Sequence, residues 1–442
     1  RGPRRAVWQA MWHAPALAVL AGAGLAVIDP AALPAAAGLL ALWFAAPEIA
    51  LAVSRPAEEP EAEFNASDRA FLRLVARRSW LFFEAFVRPE DNWLPPDNYQ
   101  EAPQAGVAHR TSPTNIGMLL LSSLTAWRLG HLGLPELVTR TRNTLDTMDR
   151  LQSWRGHLLN WYETRHLQPL EPRYVSTVDS GNLAVSLITL GQAAQTARLE
   201  PAFSPARWDG LHDTLALLAE AMATDTTVRI FTSGCPQALR DMQAEAMRVR
   251  NMRAQWPDVL AQLCDKMMPA LETCARDAIA ASEVAPAASL RDVQTWLERT
   301  RHHLSAMQRD LDAQQGWRAV LAQAPTDCTG RAQAVMQALP HDLPLAEASA
   351  AFSTARDRLS EQGTLLEGGP ARAWVDALDR ALEEAAQTHA GLERALRAIS
   401  ARARDWAHGM DFRMLLDPDT RLFFIGYDVG VGRLDPNRYD LL

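Results

Sequence analysis

In the first half of this chain, apolar residues recur at helical spacing in segments that short polar-aromatic blocks keep apart. One helix opens at Ser67-Asp68 and carries Phe71, Leu74, Val75, Trp80 and Phe83. A second runs from Ile116 to Leu129 with Thr114 as its cap, a third from Leu137 to Leu151, and a fourth from Asn182 to Thr196. Compact loops between helices of this length predict a mainly α fold of α/α-toroid type, in which the loops at one end of the barrel carry the site. Hydrophobic content of 48% with only 7% aromatics agrees, because Ala and Leu supply the difference and both favour helix.

The first block reads Trp93-Leu-Pro-Pro-Asp-Asn-Tyr-Gln and continues as His109-Arg-Thr-Ser-Pro-Thr-Asn-Ile-Gly. The second reads Asn160-Trp-Tyr-Glu-Thr and continues as Tyr174-Val-Ser-Thr-Val-Asp-Ser-Gly-Asn-Leu. Of the five tyrosines, Tyr99, Tyr162 and Tyr174 lie here, while Tyr427 and Tyr439 lie in a third block near the C-terminus. Aromatic rings stack on the apolar faces of sugars, and planar amides and carboxylates bind hydroxyls in pairs, so this mixture suits a carbohydrate groove. Any one of these residues could equally be loop or cap chemistry. Three such blocks in one chain point to a site.

Residues 1–56 read as a transmembrane helical hairpin. Ala14 to Ile28 carries no charge, Asp29-Pro30 interrupts, and a second apolar run from Ala31 to Val53 is broken only by Pro47 and Glu48. Each run is near the lower limit for a membrane span. Arg1, Arg4 and Arg5 before the first run and Arg55 after the second place both ends in the cytoplasm. The alternative is a buried helix pair in a soluble protein. Pro56-Ala-Glu-Glu-Pro-Glu reads as a linker, and 57–205 as the first part of the α/α barrel.

Residues 206–407 change character, becoming an amphipathic helical insertion. Leu290, Leu297, Leu304 and Leu311 recur every seventh residue, with Val293 and Met307 between them, as a coiled-coil-like seam expected to face Trp374, Leu378 and Leu382. Residues 408–442 return to the barrel, with Asp417-Pro-Asp-Thr as a turn between short strands. The balance of 44 basic against 52 acidic residues gives −8 and argues against nucleic acid as a partner. Cys235, Cys264, Cys274 and Cys328 fit no zinc or disulfide framework and are expected to be reduced cytosolic thiols. No metal site is indicated, and His302-His303 reads as a solvated helix face. A start at Arg1 and a stop at Tyr439-Asp-Leu-Leu442 read as cuts through a longer polypeptide.

These motifs resemble the cyclic β-1,2-glucan synthases. The resemblance is carried by Pro89-Glu-Asp-Asn-Trp-Leu-Pro-Pro-Asp-Asn-Tyr-Gln, the His109 run, Gly156-His-Leu-Leu-Asn-Trp-Tyr-Glu-Thr and Glu171-Pro-Arg-Tyr-Val-Ser-Thr-Val-Asp-Ser-Gly-Asn-Leu. Phe424-Ile-Gly-Tyr-Asp, Gly432-Arg-Leu-Asp and Tyr439-Asp-Leu-Leu follow in the family's order. The resemblance implies a bacterial inner-membrane synthase that extends a linear glucan from UDP-glucose. A cytoplasmic, glycoamylase-like (α/α)6 module then closes the ring by retaining transglycosylation. This segment would need no cofactor of its own, and its partners would be the β-1,2-glucan chain, the lipid bilayer and the remaining modules of the same polypeptide. The implied architecture is a two-helix membrane hairpin, an incomplete (α/α)6-type toroid with a long helical insertion, and a short β-hairpin near the C-terminus.

Retaining transfer needs two carboxylates. The resemblance places them after Tyr439-Asp-Leu-Leu, so this segment alone is expected to bind glucan weakly and be inactive. Trp93, Tyr99, Trp161 and Tyr162 are the implied stacking residues. Asp97, Asn98, Arg110, Thr111, Asn115, Asn160, Asp179, Ser180 and Asn182 are the implied hydroxyl-binding residues. Asp179 and Glu163 are the reserve acids; their structural alternatives are a cap on the helix near Asn182 and a pair with Arg165. The competing functions are an α/α-barrel hydrolase or phosphorylase of β-glucans, and a membrane-anchored helical scaffold.

Overall fold

The computed structural model describes residues 3–54, 64–102, 106–223, 234–280, 287–361 and 369–439. Of the described residues 73% are helical, with few short strands. It divides into two compact units, Arg1–Asn65 and Ala66–Leu442. The expected linker at Pro56, and the flanking Arg1 and Arg55, lie outside the described residues.

The first unit holds α1 (Pro3–Met11), α2 (His13–Ile28) and α3 (Leu33–Val53). Asp29 ends α2, and its carboxylate accepts from the Ala31 N–H at 3.2 Å, starting the 3-10 turn Pro30–Ala32 that leads into α3. Pro30–Val53, with a mean hydropathy of 1.8, is the one helical segment among the described residues long and apolar enough to cross a membrane. α2 has 16 residues and so rises only about 24 Å, against a hydrocarbon core of roughly 30 Å. The expected hairpin of two spans is therefore corrected to one candidate span and a shorter apolar partner. Glu48, the charge that interrupts α3, is met by α1: it accepts from Arg4 Nε and Nη2 at 3.0 and 2.8 Å and from Trp8 Nε1 at 2.8 Å.

The second unit opens with α4 (Ala66–Phe86), then β1 (Tyr99–Gln100), β2 (Gly106–Val107), β3 (Arg110–Thr111), α5 (Pro113–Arg128) and α6 (Leu134–Met148). β4 (Ser153–Trp154), β5 (His157–Leu158), β6 (Tyr162–Glu163) and β7 (Tyr174–Ser176) lead into α7 (Thr177–Ala197). There follow α8 (Ala206–Ala223), α9 (Cys235–Val249), α10 (Trp256–Gln262), α11 (Met268–Ala280), α12 (Ala287–Gln315), α13 (Trp317–Leu321), α14 (Thr329–Ala338), α15 (Leu345–Glu361) and α16 (Pro370–Gly409). β8 (Gly426–Asp428) and β9 (Arg433–Leu434) close the chain. The Asp417 turn forms, but between single bridged residues rather than strands: Leu416 pairs with Phe423, and the Asp417 carboxylate accepts from Thr420 Oγ1 at 2.9 Å. The strand hairpin lies further on, between β8 and β9.

Among the described residues three apolar cores result. The first gathers Ile116 and Leu120 of α5, Leu145 of α6, Leu183 and Leu187 of α7, and Leu396 and Ile399 of α16. The second gathers α8 to α12, and the third α13 to α16. α16 has 40 residues, about 60 Å of helix. Its Trp374, Leu378 and Leu382 lie in the third core and its Leu396 and Ala403 in the first, so it runs as a strut between them.

Several expectations change here. Ser112, not Thr114, caps α5, accepting from the Asn115 N–H at 3.2 Å. α7 starts at Thr177 rather than Asn182, because Ser176 caps it. The heptad on α12 is apolar as read, but Val293, Leu304, Met307 and Leu311 pack into the second core, while Trp374, Leu378 and Leu382 meet Trp317 and Phe352 in the third. A heptad fixes a helix face; it does not name the partner. His303 is buried, only 3% exposed, with Nε2 3.1 Å from the Arg207 carbonyl, so the double-histidine face is solvated only at His302. Cys235 and Cys274 form a disulfide rather than two free thiols: packing of α9 on α11 brings their Cα atoms to 5.7 Å, within bonding range.

α4 and α6 meet α8 and α12 across buried charge. Arg77 pairs with Glu84 at 3.1 Å and donates to Thr214 at 3.0 Å, while Asp213 accepts from Arg73 and His131 at 2.6 and 2.9 Å. In the same layer burial pushes the Asp310 carboxyl up to about 6; Arg207 pulls it back and Glu136 adds to the rise. The folded state therefore binds a proton below about pH 6 that the unfolded chain does not take up until about pH 4. This term makes the fold less stable as pH rises through that window. Comparing Tm at pH 4.5 and 6.5 in wild type and Asp310→Asn should show the substitution removing part of the fall with rising pH.

Candidate functional site

Short antiparallel pairings assemble the site. β3 pairs with β6, placing Arg110 opposite Glu163 and Thr111 opposite Tyr162, and so joins the first polar-aromatic block to the second. β7 pairs with β8, placing Tyr174 opposite Asp428 and Ser176 opposite Gly426, and so adds the C-terminal block. β3 runs into α5 and β7 into α7, and α5 packs on α7. The polar residues of all three blocks thus surround two neighbouring helix N-termini, where unpaired N–H groups favour oxygen ligands.

Asp179 stands in the first turn of α7, and its carboxylate accepts from Thr114 Oγ1 at 2.5 Å. Asn182 Nδ2 donates to the same threonine at 3.1 Å. With the Asn160 amide turned so that both its groups are satisfied, Nδ2 donates to Asp179 at 3.1 Å and the oxygen accepts from Trp161 Nε1 at 3.3 Å. Beside this lies a second carboxylate. Asp97 accepts from Arg110 Nε and Nη2 at 3.1 and 2.8 Å, from Asn98 at 3.1 Å and from Asn115 at 3.4 Å. The Arg110 guanidinium lies over the Trp161 ring, 5.0 Å from its centroid. Asp97, Asn98, Arg110, Asn115, Asn160, Trp161, Asp179 and Asn182 therefore form one partly exposed polar surface around an indole.

Other candidates fall elsewhere. Tyr162 is fully buried and cannot stack on a sugar: its hydroxyl accepts from the Leu159 N–H at 2.6 Å and donates to the Gln152 carbonyl at 2.5 Å, and burial raises its phenol pKa. Thr111 and Ser180 are buried too, at 0% and 2% exposure, so neither presents its hydroxyl to a ligand. Glu163 is a poor acid. Burial would raise its pKa, but the Arg165 and His166 N–H groups and the His166 ring outweigh it and hold the carboxyl below its ordinary value. Its side-chain partner is His166, at 2.8 Å, and not the Arg165 guanidinium. Tyr99 is 40% exposed, and Phe86 stacks on it at 4.9 Å.

Trp93 and its neighbour Asn92 are left-handed, with φ of 60° and 52°, a conformation unfavourable outside glycine. Their surroundings impose it. Thr147 and Thr144 donate to the Asn92 and Trp93 carbonyls at 2.7 and 3.0 Å, and the Asn92 amide donates to the Thr164 and Arg165 carbonyls at 2.8 and 2.9 Å.

Several residues to which the sequence reading gave no site role also tie the blocks together. Asp91 accepts from His109 Nδ1 at 2.7 Å and Thr164 Oγ1 at 2.5 Å, and Arg165 donates to His109 Nε2 at 2.6 Å; this second tie between the blocks was legible only as two motifs apart. Trp154 and Tyr427 stack at 6.0 Å and 9°. The signal for Trp154 was the Arg155-Gly156 turn, both residues at positive φ, that makes a tight hairpin of β4 and β5. Tyr439 lies near Asp179: burial, then Asp179 and Asp435, raise its phenol pKa. Tyr174 donates to Asp435 at 3.3 Å, and burial with that carboxylate pushes its phenol up to about 12.

Indole, phenol, amide and carboxylate groups thus meet at the N-termini of two paired helices. Comparison with known proteins gives this a particular relative. Over 98% of its length the chain is 35% identical to the cyclic beta-(1,2)-glucan synthase NdvB of Rhizobium meliloti (strain 1021). It spans 13% of that protein's length. No protein-family model matches the chain. The resemblance read from the motifs is borne out: the chain is homologous to a segment of a cyclic β-1,2-glucan synthase.

Proposed function

We propose that this chain is part of a membrane-bound synthase that makes cyclic β-1,2-glucan from UDP-glucose, and that its three-block surface holds the linear glucan for ring closure. The observation that carries this reading is the joining of blocks far apart in sequence around Trp161, Asp97 and Asp179. In this reading the indole faces a glucose ring while the two carboxylates and four asparagines orient hydroxyls. α4 to α7 and the end of α16 form part of an (α/α)6 barrel whose other helices, and whose acid and nucleophile, belong to the rest of the polypeptide. Pro30–Val53 anchors this segment in the bacterial inner membrane with α2 beside it.

Product analysis of the complete synthase tests the proposal. Asp97→Ala and Asp179→Asn should each shift the product from cyclic to linear glucan while glucose incorporation from UDP-glucose persists. Unchanged ring yield in both variants would refute the groove, and loss of all incorporation would point to a role in chain extension instead.

The flanking arginines support a cytoplasmic position for the helical module. The Cys235–Cys274 bond favours the opposite face, since disulfides persist in oxidising compartments and are rare in the cytosol. Protease added to spheroplasts decides: protection until permeabilisation supports the cytoplasmic side, and cleavage in intact spheroplasts the other.

A further inference from the structure

A cavity of about 810 Å³ opens between the Arg253–Gln255 turn, the end of α12, α13 and α14, in the helical insertion and away from the three-block surface. Its volume is that of a small-molecule site. Ala254, Pro257, Leu311, Ala322, Ala332 and Met336 supply mostly apolar walls.

At one place the wall is cationic. Arg318 lies over the Trp317 ring, 4.4 Å from its centroid, and its Nη2 donates to the Leu339 carbonyl at 3.4 Å. Its Nε is buried without a hydrogen-bond partner, as is Nδ1 of His341. Among the described residues no carboxylate pairs with Arg318. Burial pulls its guanidinium down to about 10, and Arg318 and Arg253 act together with burial to lower His341. Arg253 has Asp342 as its own counter-ion. Asp258 and Asp312 also line the cavity, and Gln308 donates to Asp312 at 2.8 Å. A desolvated guanidinium without a counter-ion is costly to the fold, and an incoming carboxylate or phosphate paired with it would offset that cost.

We propose that this cavity binds an anionic amphiphile, with a single carboxylate or phosphate on Arg318 and His341 and an apolar chain along the α12–α14 walls. The site is independent of the glucan surface, so either can fail without the other.

Octanoate, octyl phosphate and octanol, each below its micelle-forming concentration, are titrated into the full chain by calorimetry. At least one anion should saturate a single site, octanol should bind about tenfold more weakly or worse, and Arg318→Gln should weaken the anion by a similar factor. Arg318→Lys should restore part of the loss. Ala332→Trp, which fills the cavity without touching the cation, should abolish binding, and it keeps the test open if Arg318→Gln does not fold. Tighter octanoate assigns a fatty-acid-like head, and tighter octyl phosphate a phosphate ester; both support the site. No saturable binding, equal binding of octanol, or anion binding that survives Ala332→Trp overturns it.

Discussion

Glu84→Ala should destabilise the second unit by about 3–5 kcal/mol, the usual consequence of stripping a buried ion pair of one member. Glu84 lies almost wholly inside, with its carboxylate 3.1 Å from Arg77, 3.6 Å from Arg299 and 3.8 Å from His302. Arg77 is 1% exposed, lies 5.1 Å over the Trp296 ring, and cannot reach water when its partner is lost. Burial already lowers its pKa, with Glu84 acting as the chief counterweight. α4 carries both residues, Trp296 and Arg299 come from α12, and Thr214 from α8. The substitution should therefore loosen the contact between the first and second cores. Urea unfolding followed by tryptophan fluorescence should show an earlier transition, and Arg77→Met combined with Glu84→Met should recover part of the loss. An unchanged transition for Glu84→Ala would show that the pair is solvated.

Trp161→Ala should weaken linear β-1,2-glucan binding by about 2 kcal/mol, roughly thirtyfold in Kd, as expected of a central aromatic anchor. The indole is held on two sides, by Arg110 over its face and by the Asn160 oxygen at its Nε1, so its orientation is set before any ligand arrives. Its removal takes away the stacking face and frees Arg110 from one of its two neighbours. Because Trp161 is only partly buried and outside the helical cores, Tm should change little, which separates a binding defect from a folding defect.

Much of this arrangement was legible in the sequence. Helices α4 to α7 follow from apolar spacing, and the three blocks followed from a density of Asn, Asp, Tyr and Trp that packing does not require. Which members of a block face outward was not legible. β3 and β6 are two residues long, too short for alternation to show that Thr111 and Tyr162 point inward while Arg110 points out. Caps were misplaced by a few residues because Ser112-Pro-Thr offers two hydroxyls, and because Asp179 is as good a capping residue as Ser176; only backbone geometry selects one. The Cys235–Cys274 contact spans 39 residues and depends on how α9 meets α11, which no local pattern encodes. The buried layer of Arg77, Glu84, Asp213, Arg207 and Asp310 was not legible, since a lone charged residue on a helix does not reveal its partners.

Linkage preference is the most direct test of the central claim that the three blocks form a β-1,2-glucan groove. Calorimetric titration of the full chain with linear β-1,2-, β-1,3- and β-1,4-glucan oligosaccharides of equal length should give saturable binding of the β-1,2 series alone, or binding at least about tenfold tighter than the others. Equal affinity for all three linkages, or no binding of the β-1,2 series, would contradict it.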